Sequence, residues 1–178
     1  MIRCIVRSFV ALGVALTLCP PAGLAEDLKA PDFDLPALGG SRMTSADVVG
    51  KGPVLLNFWA SWCRPCIMEA PHLVKLYDQY EAKGLEIIGI SLDRPSAVAR
   101  VQAAVTRSKI DYPVLLDPKS EYAAKLKIAS LPTNLLLDEQ GRIVKTFRGF
   151  YPGIEKEIAK AVDGLLAKGE SPSPPAAP

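Results

Sequence analysis

Apolar residues recur along this chain at two different periods, and each change of period marks an expected change of backbone. Val54 to Trp59 is apolar at nearly every position and opens after Gly52-Pro53, the pattern of a strand buried on both faces. From Cys63 the spacing switches to threes and fours through Ile67, Ala70, Leu73, Val74, Tyr77 and Tyr80. That predicts an amphipathic helix ending at Gly84, with a kink expected where the Pro71 ring opposes the Ile67 carbonyl. Leu85 to Ser91 reads as a second buried strand, and residues 95–108 as a helix with Pro95 in its first turn. Val114 to Leu116 predicts a short strand and Ser120 to Leu126 a short helix. Leu135 to Leu137 and Ile143 to Phe147 flank Asp138 to Gly141 and should pair as an antiparallel hairpin. A last helix from about Gly153 places Ile154, Ile158, Ala161, Val162, Leu165 and Leu166 on one face, toward a sheet. The Pro- and Gly-rich stretch 26–53 predicts a small hairpin, near 32–35 and 41–44, with Ser45 capping one helical turn. Strand and helix alternating in this way predict an α/β domain built on right-handed parallel crossovers.

The two ends of the chain read differently. Arg3 and Arg7 precede an apolar run from Phe9 to Leu18, Pro20-Pro21 interrupts it, and small residues lead to Ala25. Residues 1–25 are therefore expected to be a secretory signal peptide, an uncleaved anchor being the alternative, although the run is shorter than the roughly 20 residues a spanning helix needs. One domain over 26–168 fits the length of 178 residues, and the Pro/Ser/Ala-rich segment 169–178 carries no apolar period and is expected to be a disordered tail. Export makes the periplasm the expected location, with attachment to the inner membrane if the signal is retained.

Charge and cysteine counts matter only after the signal is set aside. Of 21 basic residues, Arg3 and Arg7 leave with it, so 19 basic face 19 acidic, which gives no argument for a nucleic-acid partner. Of four cysteines, Cys4 and Cys19 also leave. The remaining pair, Cys63 and Cys66, points to redox chemistry rather than to a disulfide scaffold. Only a thiolate attacks a disulfide, and the free N–H groups at a helix start favour one. Cys63 is thus the candidate nucleophile, Arg64 beside it a further stabiliser of the thiolate, and Cys66 the resolving thiol. Pro65 suits the first helical turn and stiffens the ring that a Cys63–Cys66 disulfide closes. Trp62 offers an aromatic face to a partner protein, whereas Trp59 is assigned to the core.

The segment WASWCRPC, followed by Glu69 and Pro71 and, about 65 residues later, by Leu131-Pro132-Thr133, resembles the TlpA/ResA family of exported thioredoxin-like thiol-disulfide oxidoreductases. The APDFDLP entry, the GKGPVLLNFWASWC strand and the LPTNLLLDEQGRIV hairpin are also similar, so the resemblance spans Pro31 to about Leu166. It implies a thioredoxin fold: a mixed central sheet flanked by helices, an N-terminal β-hairpin and a central strand-helix insertion. It implies Cys63 and Cys66 as the redox pair, Glu69 as the acid near them and Pro132 as a cis proline facing the disulfide. A cis bond there would turn the Leu131 backbone toward an extended substrate segment. Glu69 lies three residues after Cys66, so the two share a helix face, and burial there would raise its pKa and suit it to proton exchange with Cys66; a solvated surface glutamate is the alternative. Asn57 stands where thioredoxin carries a buried aspartate and cannot titrate. Ser130 departs from the glycine common at that place in the family.

The expected activity is reduction of disulfides in exported proteins, on the resemblance those of apocytochrome c or of copper-delivery and oxidase-assembly proteins. Electrons would come from a membrane thiol transporter. No cofactor beyond the Cys63–Cys66 disulfide, no metal and a monomeric state are expected. Two rivals stay open: a Cu(I)-binding Cys-x-x-Cys module, since thiolates are soft ligands, and a general oxidant using the same motif in reverse. His72, the only histidine, is too little for a zinc site and reads as an exposed helix residue. A peroxidatic pattern would need Pro at 56 and Ser or Thr at 60, where this chain has Leu56 and Ala60.

Overall fold

Central to the molecule is a strand with no exposed residue. The computed structural model describes residues 28–169, so the signal-peptide reading of 1–25 and the tail beyond Gly169 lie outside the described residues. Strand β1 (Asp34–Pro36) pairs antiparallel with β2 (Arg42–Thr44) as a small hairpin. The main sheet comprises β3 (Val54–Trp59), β4 (Glu86–Ser91), β5 (Val114–Leu116), β6 (Thr133–Leu137) and β7 (Ile143–Arg148), in the order β5-β4-β3-β6-β7. β3, β4 and β5 run parallel; β6 is antiparallel to β3, and β7 to β6. Helix α1 (Arg64–Tyr80) follows β3, α2 (Val98–Ser108) follows β4, α3 (Glu121–Lys125) follows β5, and α4 (Ile154–Gly169) closes the chain. This is the thioredoxin-like arrangement, with α2 and β5 as the extra helix and edge strand.

Every residue of β3 is buried, which is why its sequence shows no alternation. Its side chains still alternate between faces. Leu55 joins Leu73, Leu76 and Tyr77 of α1 and Ile154, Ile158 and Val162 of α4. Leu56 and Phe58 join Phe33 beside the hairpin and Tyr122 of α3 on the opposite face. Trp59 and both cysteines form a third cluster with Val101 and Ala104 of α2, at the end of β3 where the chain turns into α1.

Several expectations shift in detail. Helix α1 contains Pro71 within its span, and a single 3-10 turn, Glu81–Lys83, separates its end from Gly84 at φ 98°. Thr44 rather than Ser45 occupies the cap of the first helical turn, because its N–H and hydroxyl both donate to Asp47 at 2.7 Å. The α3 start is fixed by Asp117, whose carboxylate accepts from the Glu121 and Ala123 N–H groups at 2.9 Å. β6 begins at Thr133, two residues earlier than the apolar run suggests, because Thr133 and Asn134 are buried polar residues paired into the sheet. His72 is not free on the surface: its Nδ1 lies 3.4 Å from Glu155 and its ring packs on Phe150.

One close approach fixes the entry to β3. At Gly52, φ is +148° and a Cβ would stand 2.3 Å from the Gly84 carbonyl oxygen, so backbone meets backbone where the helix ends and the strand begins. Gly52→Ala is expected to cost about 2–4 kcal/mol, by strain plus overlap. Gly39→Ala, with nothing within 4 Å of its Cβ position, should stay within about 0.5 kcal/mol. Urea denaturation midpoints at unchanged slope measure both.

Candidate functional site

The turn that carries the cysteines is held from below. Asp93, buried just past the end of β4, accepts from the Ser61 N–H and the Ser61 hydroxyl, both at 2.7 Å, and from the Ser91 hydroxyl at 2.9 Å. That carboxylate ties the β3–α1 turn to the neighbouring strand. Cys63 then occupies the N-cap of α1 with extended backbone, and Pro65 sits in the first turn, where no N–H is needed. Cys63 and Cys66 are joined by a disulfide of 2.03 Å, and the Cys66 N–H donates to Cys63 Sγ at 3.3 Å. When the bond is open, the same N–H and the positive end of α1 favour a thiolate on Cys63. Trp59 is buried at 2% exposure and Trp62 projects at 67%; Arg64 and Pro65 are exposed.

Across from the disulfide, the Leu131–Pro132 peptide is cis. Thr133 Oγ1 donates to the Ser130 carbonyl at 2.7 Å, and the Gly149 N–H donates to the Pro132 carbonyl at 2.8 Å, which pins the loop on both sides. Between these anchors the N–H and C=O of Leu131 make no hydrogen bond among the described residues. They border a groove of about 540 Å³ that Cys63, Trp62, Arg64, Pro65 and Leu131 line and Cys66 does not. All eight site residues expected from the sequence except Cys66, Glu69 and Pro132 therefore face one groove, and those three lie beneath it, buried.

Beneath Cys66, one helical turn along, Glu69 is 1% exposed. Its two oxygens are held separately: Asn134 Nδ2 donates to Oε1 at 2.8 Å and Asn57 Nδ2 to Oε2 at 3.1 Å. Asn57 also donates to Asn134 Oδ1 at 2.8 Å, and the two are direct cross-strand partners on β3 and β6. Burial dominates and pushes the Glu69 carboxyl up from the usual 4.5 to about 7, against the opposing pull of the Asn134 and then the Asn57 hydrogen bonds, which favour the ion. A solvated glutamate is thereby excluded. Asn134 and Asp93 were not singled out by sequence reasoning. Their signal was a polar residue inside an otherwise buried run, in PTNLLL and in GISLD. Among the described residues no group of three or more His, Cys, Asp or Glu is placed to hold a metal ion.

The AhpC/TSA family profile matches residues 27–146. Among curated proteins, the chain is 35% identical over 140 residues to the thiol-disulfide oxidoreductase ResA of Bacillus cereus, covering 79% of this chain and 76% of that one. It is 30% identical over 156 residues to ResA of Bacillus subtilis, covering 80% and 86%. Among solved structures, a thiol-disulfide oxidoreductase from Bacteroides fragilis aligns with a TM-score of 0.64 at 30% identity, covering 75% of this chain and 98% of that one. The thioredoxin domain of a thiol-disulfide oxidoreductase from Bacteroides vulgatus aligns at 0.67 with 28% identity, covering 79% and 99%.

Glu69 gives the fold a pH signature. Between 4.5 and about 7 the folded protein keeps a proton that the unfolded chain releases, so stability is expected to fall as pH rises through that window and to level off above it. The fall should total about 3 kcal/mol. Asn134→Ala removes a bond that favours the ion and should extend the window to higher pH, while Glu69→Gln should flatten it. Urea unfolding of the oxidised proteins between pH 4 and pH 9 reads all three.

Proposed function

We propose, for a chain that belongs to the AhpC/TSA family and is a ResA-like thiol-disulfide oxidoreductase, that it works in the periplasm as a reductant of disulfides in partner proteins. The observation that carries this reading is the position of Cys63: its sulfur stands at the head of α1, accepts the Cys66 N–H, and opens onto a groove bordered by the unpaired Leu131 backbone. A partner segment lying extended in that groove pairs with Leu131 in strand fashion and brings its own disulfide to Cys63.

In the reduced protein the Cys63 thiolate attacks one sulfur of the partner disulfide, which forms a mixed disulfide and expels the other partner sulfur as a thiolate. Cys66 then attacks Cys63 Sγ, closes the Cys63–Cys66 disulfide and releases the partner as a dithiol, so two electrons pass to the partner. The proton of Cys66 goes to Glu69, whose pKa near 7 lets it take the proton up and return it when the disulfide is reopened. Pro132 shapes the loop opposite the disulfide, and Trp62, Arg64 and Pro65 contact the partner. Reopening needs a dithiol donor, for which a membrane thiol transporter is the candidate. Among the described residues no helix is long and apolar enough to cross a membrane. The partner disulfides proposed are those of apocytochrome c or of copper-delivery proteins.

Cys63→Ser is expected to lower dithiol-dependent reduction of an insulin disulfide at least about 100-fold, by loss of the attacking thiolate. Equal rates in Cys63→Ser and wild type would end this reading. Cys66→Ala should instead accumulate the partner as a mixed disulfide, visible on non-reducing gels. Equilibration with glutathione decides direction: a reductant keeps its disulfide where an oxidant surrenders it.

A further inference from the structure

Trp62, the most exposed of the large apolar side chains among the described residues, separates two grooves. One, described above, leads to Cys63 and Leu131. The other, of about 460 Å³, lies on the far side and is lined by Leu92, Asp93, Arg94, Ser96, Ala97 and Arg100. Trp62 and Leu92 line both, so one surface path runs from Leu131 past Cys63 and over Trp62 to the two arginines.

The charge along this path is one-sided. Arg64, Arg94 and Arg100 are exposed, and their guanidinium groups make no ion pair or hydrogen bond among the described residues. The one carboxylate lining either groove is Asp93, which is 3% exposed and has both oxygens occupied by Ser61 and Ser91. Three unpaired guanidiniums along a path that passes the redox cysteine leave carboxylates as the complement they lack.

We propose that the Arg94/Arg100 groove receives an acidic stretch of the partner polypeptide, adjoining the cysteine that Cys63 attacks. This rests on the reductase reading above and narrows its substrates to disulfides flanked by Asp or Glu. A chain pairing with Leu131 advances about 3.3 Å per residue and continues past Cys63 across the Trp62 face into the second groove. There guanidinium forks meet carboxylates in paired, charge-assisted hydrogen bonds. Opposite charge on the two surfaces raises the encounter rate and orients the partner before exchange.

The test uses the reduced protein and three peptides, each closed by one internal disulfide, with Asp, Asn or Lys at successive positions beside the attacked cysteine. Hydroxyethyl disulfide serves as a small uncharged reference, and every rate is divided by the rate on that reference for the same protein. At low ionic strength the Asp peptide should be reduced about tenfold faster than the Asn peptide and the Lys peptide more slowly still, a spread of the size that electrostatic steering produces. The spread should collapse toward 1 M salt, where screening reaches about 3 Å. In Arg94→Glu/Arg100→Glu the order should invert, Lys ahead of Asp. Equal normalised rates for Asp and Asn in wild type, or an unchanged Asp preference in the double variant, would overturn the proposal while leaving reduction itself intact. Failure of wild type to reduce the reference would overturn the reductase reading and this one with it.

Discussion

Burial of β3 on both faces is the constraint on which the rest of the site depends. A central strand with no solvent-exposed residue must be covered by helices on one side and by α3 and the hairpin region on the other, and its end is then fixed in space. The next residues turn out of the sheet, and α1 starts at once, so Cys63 is delivered to a helix N-terminus, where the first backbone N–H groups have no partner within the helix. Asp93, bonded to Ser61, makes that delivery rigid by joining the turn to β4. The environment of Cys63 is therefore a consequence of core packing rather than of the motif's residues alone.

The same burial creates a difficulty that the sheet also answers. Glu69 on α1 faces β3 and β6, where a lone ionised carboxyl would be costly. Asn57 and Asn134, paired across the strands, each give one N–H to it. Two neutral amides stabilise the ion without fixing it, whereas cationic partners would drive the carboxyl far down, and amide support against desolvation leaves it near neutrality. Asn57, which does not titrate itself, is thus a structural support for the residue that does. The titratable carboxyl thus lies between two strands, below Cys66 and away from the groove.

Much of this was legible in the order of residues. The apolar run, the switch of period at Cys63, the Cys-x-x-Cys pair and the amphipathic helices read through to the observed elements, because local periodicity reports which faces must be buried. Polar residues inside buried segments read less well. Thr133 and Asn134 hid the start of β6, and the first helical turn is capped at Thr44 rather than at Ser45, because the Asp47 carboxylate reaches back to the Thr44 N–H. His72 looked exposed on its own helix, yet Glu155 of α4 and Phe150 of the preceding loop lie against it.

The sequence by itself determined the chemical class: a helix-start pair of cysteines, a glutamate one turn later and a Leu-Pro dipeptide far downstream. Only the tertiary structure decided the environment of these groups. Asn57 and Asn134 are 77 residues apart and meet because β6 pairs antiparallel with β3. Leu131 faces Cys63 because that same pairing returns the chain beside the head of α1, and Arg94 reaches the edge of the Trp62 surface because β4 runs parallel to β3. Periodicity encodes which face of an element is buried, but register between strands distant in sequence decides which polar atoms share that burial.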